Sequence, residues 1–161
     1  MLLWFVAPSI LLVWAVFRSP GADYRFVVAG ALLPLVELPL GEPRVLHSVA
    51  GAGALMALVM LGVRGRRLLQ RRLLGLPIGV LVHQLLDGAW ADTDGFWWPL
   101  LGFGWSRSEL PLLGRGLAVN VVLELLGAGA LWWMWRRFRL DEPDRRRTFL
   151  REGRVGRDIV P

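Results

Sequence analysis

Five apolar runs, at residues 1–17, 26–40, 45–63, 73–87 and 117–135, alternate with arginine clusters, and that pattern leaves few folds open. Runs of this length predict helices packed in a lipid bilayer rather than the core of a soluble globule. The expected architecture is all-α: an integral membrane helical bundle of about five spans over residues 1–140, followed by a cytoplasmic basic tail at 141–161. The second run is short for a hydrocarbon core of about 30 Å and contains Pro34 and Pro39, so it is expected to be broken or tilted. Pro34 has no N–H for the Gly30 carbonyl, and irregular backbone at membrane depth must be covered by protein or water. The first run has no basic residue before it and no clear cleavage site after it. It reads as a retained helix, not a signal peptide.

The charges agree with this reading. Every basic residue is arginine, 19 in all, for a net charge of +6. Such a balance can signal nucleic acid, but these arginines sit in short clusters between apolar runs and after the last, where membrane orientation explains them. No nucleic-acid partner is expected; the partner is the bilayer. Alternating spans with the amino terminus outside leave only Arg44, Arg107 and Arg115 outside and the other 16 of the 19 inside. That bias predicts a multi-pass protein of the bacterial cytoplasmic (inner) membrane with its carboxyl end cytoplasmic. The absence of cysteine excludes a disulfide framework, a thiolate metal site and a cysteine nucleophile.

Against this background the stretch HQLLDGAWADTDGFWWP, residues 83–99, stands out. The topology places Glu37, Glu42, His47, His83, Asp87, Asn120 and Glu124 toward the outer side. Ionisable groups in hydrocarbon cost a few kcal/mol or more each, so several at one depth indicate a packed polar site. His83 and Asp87, four residues apart, share a helix face. Imidazole and carboxylate suit a divalent metal, which makes His47, His83 and Asp87 candidate ligands and zinc the expected ion. Asp92 and Asp94 either join that shell or form an Asx-type turn around Gly95. Glu124 suits an interhelical hydrogen bond better than ligation. The tryptophans read as an interfacial belt.

At these residues the chain resembles the LexA-regulated, membrane-bound, metal-dependent hydrolases. LLPLVELP at 32–39 is similar to that family's early L-P-D motif, LHS at 46–48 to its T-H-S motif, and residues 83–99 to its H-x-x-x-D motif with a following threonine, glycine and aromatic-proline stretch. Leu35 stands where the family has the L-P-D aspartate, leaving Glu37 as the nearest acid. Leu46 replaces the threonine, and Glu42 lies near the place of an additional family histidine. The resemblance implies an all-helical fold, a divalent metal and a hydrolase, with His47, His83 and Asp87 carried over and Glu37 as a substitute acid.

The resulting expectation is a membrane-embedded hydrolase of an ester or phosphoester, plausibly of a lipid, at the outer face. His47, His83 and Asp87 hold the metal and Glu37 or Asp92 acts as general base. The alternative is a non-enzymatic membrane protein in which the same groups form a structural polar or metal-binding cluster.

Overall fold

The computed structural model describes residues 1–40, 45–103 and 114–160; Glu42, Arg44 and Arg107 lie outside them. All regular structure among the described residues is helical. The principal helices are α1 (Leu2–Phe17), α2 (Tyr24–Leu32), α3 (Val49–Gly62), α4 (Arg67–Leu73), α5 (Gly75–Asp87), a four-residue α6 (Thr93–Phe96), α7 (Leu117–Arg137) and α8 (Pro143–Glu152).

Helix ends explain why apolar runs and helices differ in length. Asp23 caps α2, accepting from the Arg25 N–H at 3.2 Å. The α2 helix stops at Leu32, two residues before Pro34, and the chain tightens into a 3-10 segment over Leu33–Leu40. Leu33 N–H then closes on the Gly30 carbonyl, the group a continuing α-helix would have left without a donor at Pro34. Residues 45–47 form a 3-10 turn, and Ser48 caps α3 by accepting from Gly51 N–H at 3.0 Å. Gly88, at φ 68°, ends α5 in the left-handed conformation that glycine adopts without a Cβ clash. Among the described residues only α7, with 21 residues, is a helix long and apolar enough to cross a bilayer by itself. Of the five expected spans, one is such a helix, and α1 and α3 are shorter apolar helices.

Contact register gives each segment a direction. Gly127 of α7 lies against the backbone of Leu3 and Trp4, while Trp133 reaches Trp14, so α1 and α7 run the same way. Gly75 lies against Phe26 and Val27, and His83 against Ala31, so α2 and α5 are likewise parallel. Phe5 stacks on His83, beside the end of α2, and Trp14 shares the Phe138 ring with Tyr24 at its start, so α1 and α2 are antiparallel. Gln84 binds the Ser48 carbonyl and Gln70 that of Met60, which makes α3 antiparallel to α5. Direction therefore alternates through all five apolar segments.

The α2–α5 contact is the tightest in the fold and glycine makes it. A Cβ on Gly30 would collide with the Leu76 carbonyl, and one on Gly79 would collide with the Val27 carbonyl and lie 2.7 Å from Ala31 N. Small residues four apart (Gly75 and Gly79) let two backbones approach in this manner.

The bundle has two unlike ends. At one, Ile10, Val13, Trp14, Tyr24, Val27, Met134, Phe138 and Leu140 form an aromatic-rich core, and Val155 and Ile159 join it. Within residues 141–160, α8 and the segment after it fold back onto the bundle, and Tyr24 N–H donates to the Gly153 carbonyl at 2.8 Å. At the other end the buried groups are polar: Glu37, His47, Ser48, His83, Gln84 and Asp87. Apolar side chains cover much of the exterior, Leu61 being 70% and Leu125 67% exposed.

Candidate metal centre

Four segments meet at the polar end: the end of α2, the 3-10 turn at Val45–His47, the last turn of α5, and Phe5 of α1. Pro34 has a direct consequence here. In the 3-10 register the donor to the Ala31 carbonyl would be residue 34, which has no N–H. His83 Nδ1–H supplies the bond instead, at 2.6 Å. That bond places the ring proton on Nδ1 and leaves the Nε2 lone pair directed inward. His83 is fully buried, with Phe5 stacked on one face at 4.0 Å between ring centroids. Among the described residues its Nε2 has no hydrogen-bond partner.

His47 is held similarly. Its Nδ1 lies 2.7 Å from Glu37 Oε2, while Glu37 Oε1 accepts the Leu46 N–H at 3.0 Å. A carboxylate at Nδ1 keeps the proton there, so His47 also presents Nε2. Gln84 fixes the turn by donating through Nε2 to the carbonyls of Leu46 (3.0 Å) and Ser48 (2.9 Å). The two imidazoles meet edge to face with centroids 5.5 Å apart.

Asp87, one turn beyond His83, is the third member. Its Oδ2 lies 3.9 Å from His47 Nε2 and its Oδ1 3.3 Å from Arg115 Nη1. Arg115 also donates through Nη2 to the Asp87 backbone carbonyl. One ligand atom from each of His47, His83 and Asp87 lies within 4.8 Å of the others, and all three residues are buried.

The chemistry of this group is distinctive. His83, its ring proton committed to the Ala31 carbonyl, presents its Nε2 beside His47 Nε2 and the Asp87 carboxylate, which gathers metal-ligating atoms in one buried space. Such a group can share a cation. Two nitrogens and one oxygen suit a divalent metal with a further coordination position open. Ligand atoms on a tetrahedral ion at about 2.0–2.1 Å stand about 3.3 Å apart, so closure requires side-chain shifts of about 1 Å. His47, His83 and Asp87 can therefore hold a metal ion.

The other expected residues take different places. Glu37 is buried at the site, but both its oxygens are engaged as described, which makes it a positioning residue for His47. Asp92 accepts the Gly95 N–H at 3.4 Å and precedes α6, the Asx-turn arrangement, and it is outside the three-residue group. Glu124 accepts the Leu3 N–H at 3.1 Å, an interhelical bond. Gln84, Arg115 and Phe5 were not singled out from sequence. Gln84 sits inside the H-x-x-x-D motif, whereas Arg115 carried no signal beyond its charge. No family model, curated protein or solved structure matches the chain.

Proposed function

We propose that this chain is a multi-pass membrane protein, of the kind represented by the LexA-regulated metal-dependent hydrolases, whose polar end binds zinc and cleaves an ester or phosphoester at the outer face. The observation that carries the reading is the buried convergence of His47, His83 and Asp87, with His83 Nε2 unpartnered among the described residues. The membrane part rests on the apolar exterior, the alternating segment directions, and the 16 arginines assigned to one side against three.

A zinc ion bound there would lower the pKa of a coordinated water and polarise the substrate oxygen. The chain's own groups do the rest. Glu37 and the Ala31 carbonyl hold the two imidazoles in their Nε2-presenting tautomers, and Phe5 closes one side of His83 against water. Arg115 offsets the Asp87 charge on the side away from His47. Proton transfer is assigned to Asp92, five residues beyond Asp87, or to Glu37.

The second reading, a structural cluster without turnover, is favoured by one observation: the Arg115 guanidinium already balances Asp87. Purified protein and its His47→Ala variant, assayed with zinc on a short-chain phosphoester and on a carboxylic ester, separate the two. The hydrolase reading expects zinc-dependent cleavage that His47→Ala abolishes while the variant stays folded. Metal bound without turnover of either probe leaves the structural reading.

A further inference from the structure

The arginine clusters have so far served only as topology signals, yet the fold gathers several around one cavity. It has a volume of about 630 Å³ and lies between the turn after α1 (Ser19, Pro20), the end of α4 (Arg71, Arg72) and the segment after α8 (Arg154, Arg157). Four arginines line this space and Glu152 is the one carboxylate among its lining residues. That carboxylate lies 3.6 Å from Arg154. Among the described residues, Arg71, Arg72 and Arg157 form no ion pair. Ser19 Oγ accepts the Gly21 N–H at 3.3 Å, which leaves its hydroxyl proton for another acceptor.

Two segments distant in sequence, the end of α4 and the segment after α8, thus deliver like charges to one concavity, an arrangement that repels itself until an anion enters. Planar guanidinium groups bind oxyanions by paired N–H···O bonds, and several of them around one space suit a phosphate, with its three acceptor oxygens, better than a halide. The cavity sits at the arginine-rich end of the bundle, the end assigned to the cytoplasmic leaflet, where anionic headgroups concentrate. Leu68 also lines it, so apolar surface adjoins the cationic floor.

We propose that this cavity is a binding site for a phosphate oxyanion, presented by the headgroup of an anionic phospholipid. It is distant from the metal centre and does not depend on catalysis. The full chain in detergent is titrated with dioctanoyl phosphatidylglycerol, dioctanoyl phosphatidylcholine and inorganic phosphate, with binding read by native mass spectrometry. Arg71→Gln/Arg72→Gln removes two lining charges. Arg64→Gln/Arg66→Gln removes the same charge from exposed positions outside the cavity on the same turn. Phosphatidylglycerol is expected to bind at least tenfold tighter than phosphatidylcholine, to lose at least tenfold in the lining variant and less than twofold in the control. Inorganic phosphate binding as tightly as phosphatidylglycerol, with the same sensitivity, upholds the oxyanion site and assigns it to a soluble phosphoryl ligand. Equal weakening in both variants, or no preference for either anion over phosphatidylcholine, overturns the proposal.

Discussion

Replacing Gly79 by alanine should damage the fold and the metal centre together, because one backbone contact sets both. A Cβ at this position would collide with the Val27 carbonyl and stand 2.7 Å from Ala31 N and 2.9 Å from Gly30 C. Carbon contacts are comfortable at about 3.5–4.0 Å, so α2 and α5 must separate by about 1 Å. The His83–Ala31 bond, 2.6 Å long, would open beyond hydrogen-bonding range. Overpacking of this kind costs about 1–3 kcal/mol, and a buried carbonyl left without its donor about 1–3 kcal/mol more. A loss of about 2–6 kcal/mol is expected in denaturant unfolding in detergent micelles, with a fall in retained metal. Gly53→Ala is the control: its Cβ would meet nothing within 4 Å, and a helical Gly→Ala change there should be neutral or stabilising by up to about 1 kcal/mol. A Gly79→Ala protein as stable as the parent would refute the account of the α2–α5 contact.

Glu37→Gln, which removes the charge that orients His47, should weaken metal affinity about 10–100-fold, measured by competition with a chromophoric chelator. Truncation after Arg139 removes the buried Leu140, Val155 and Ile159, whose burial contributes about 1.5–3 kcal/mol each. The shortened protein should aggregate in size-exclusion chromatography in detergent; a monodisperse peak would show the carboxyl-terminal segment to be dispensable. Acid sensitivity has one identifiable source there: a hydrogen bond from Arg145 holds the Asp158 carboxyl below its usual pKa. The charged form is thus favoured in the folded state, so this contribution is present above about pH 4 and lost as pH falls through the lowered folded value. Asp158→Asn should flatten that limb of the stability–pH curve. In this cysteine-free chain, Thr148→Cys should resist an impermeant thiol reagent in intact cells while Asp94→Cys reacts; the reverse pattern rejects the orientation.

The three clustered residues were legible because they violate their surroundings: His47, His83 and Asp87 stand in runs that otherwise exclude most ionisable groups, and the last two share a helix face by spacing alone. What held them was not legible. Pro34 read as a helix break, and its effect on the Ala31 carbonyl, answered by a histidine 52 residues on, needs the α2–α5 register. Glu37 looked like a substitute acid because its distance from His47 depends on the path of the intervening chain. Arg115 reaches Asp87 across 28 residues that include a stretch outside the described structure. Helix lengths were overestimated because Pro34 stops α2 and Ser48 starts α3 inside apolar runs. The carboxyl-terminal docking was hidden for another reason: Val155 and Ile159 are isolated apolar residues in a charged segment, with no periodicity to mark them.

The central claim is that His47, His83 and Asp87 share a cation, and elemental analysis of gently purified protein, before and after dialysis against zinc, tests it most directly. The account predicts close to one zinc per chain, lost in His83→Ala and in Asp87→Ala and kept in Glu124→Gln. Protein that carries no divalent metal as purified and takes up none from added zinc would contradict it.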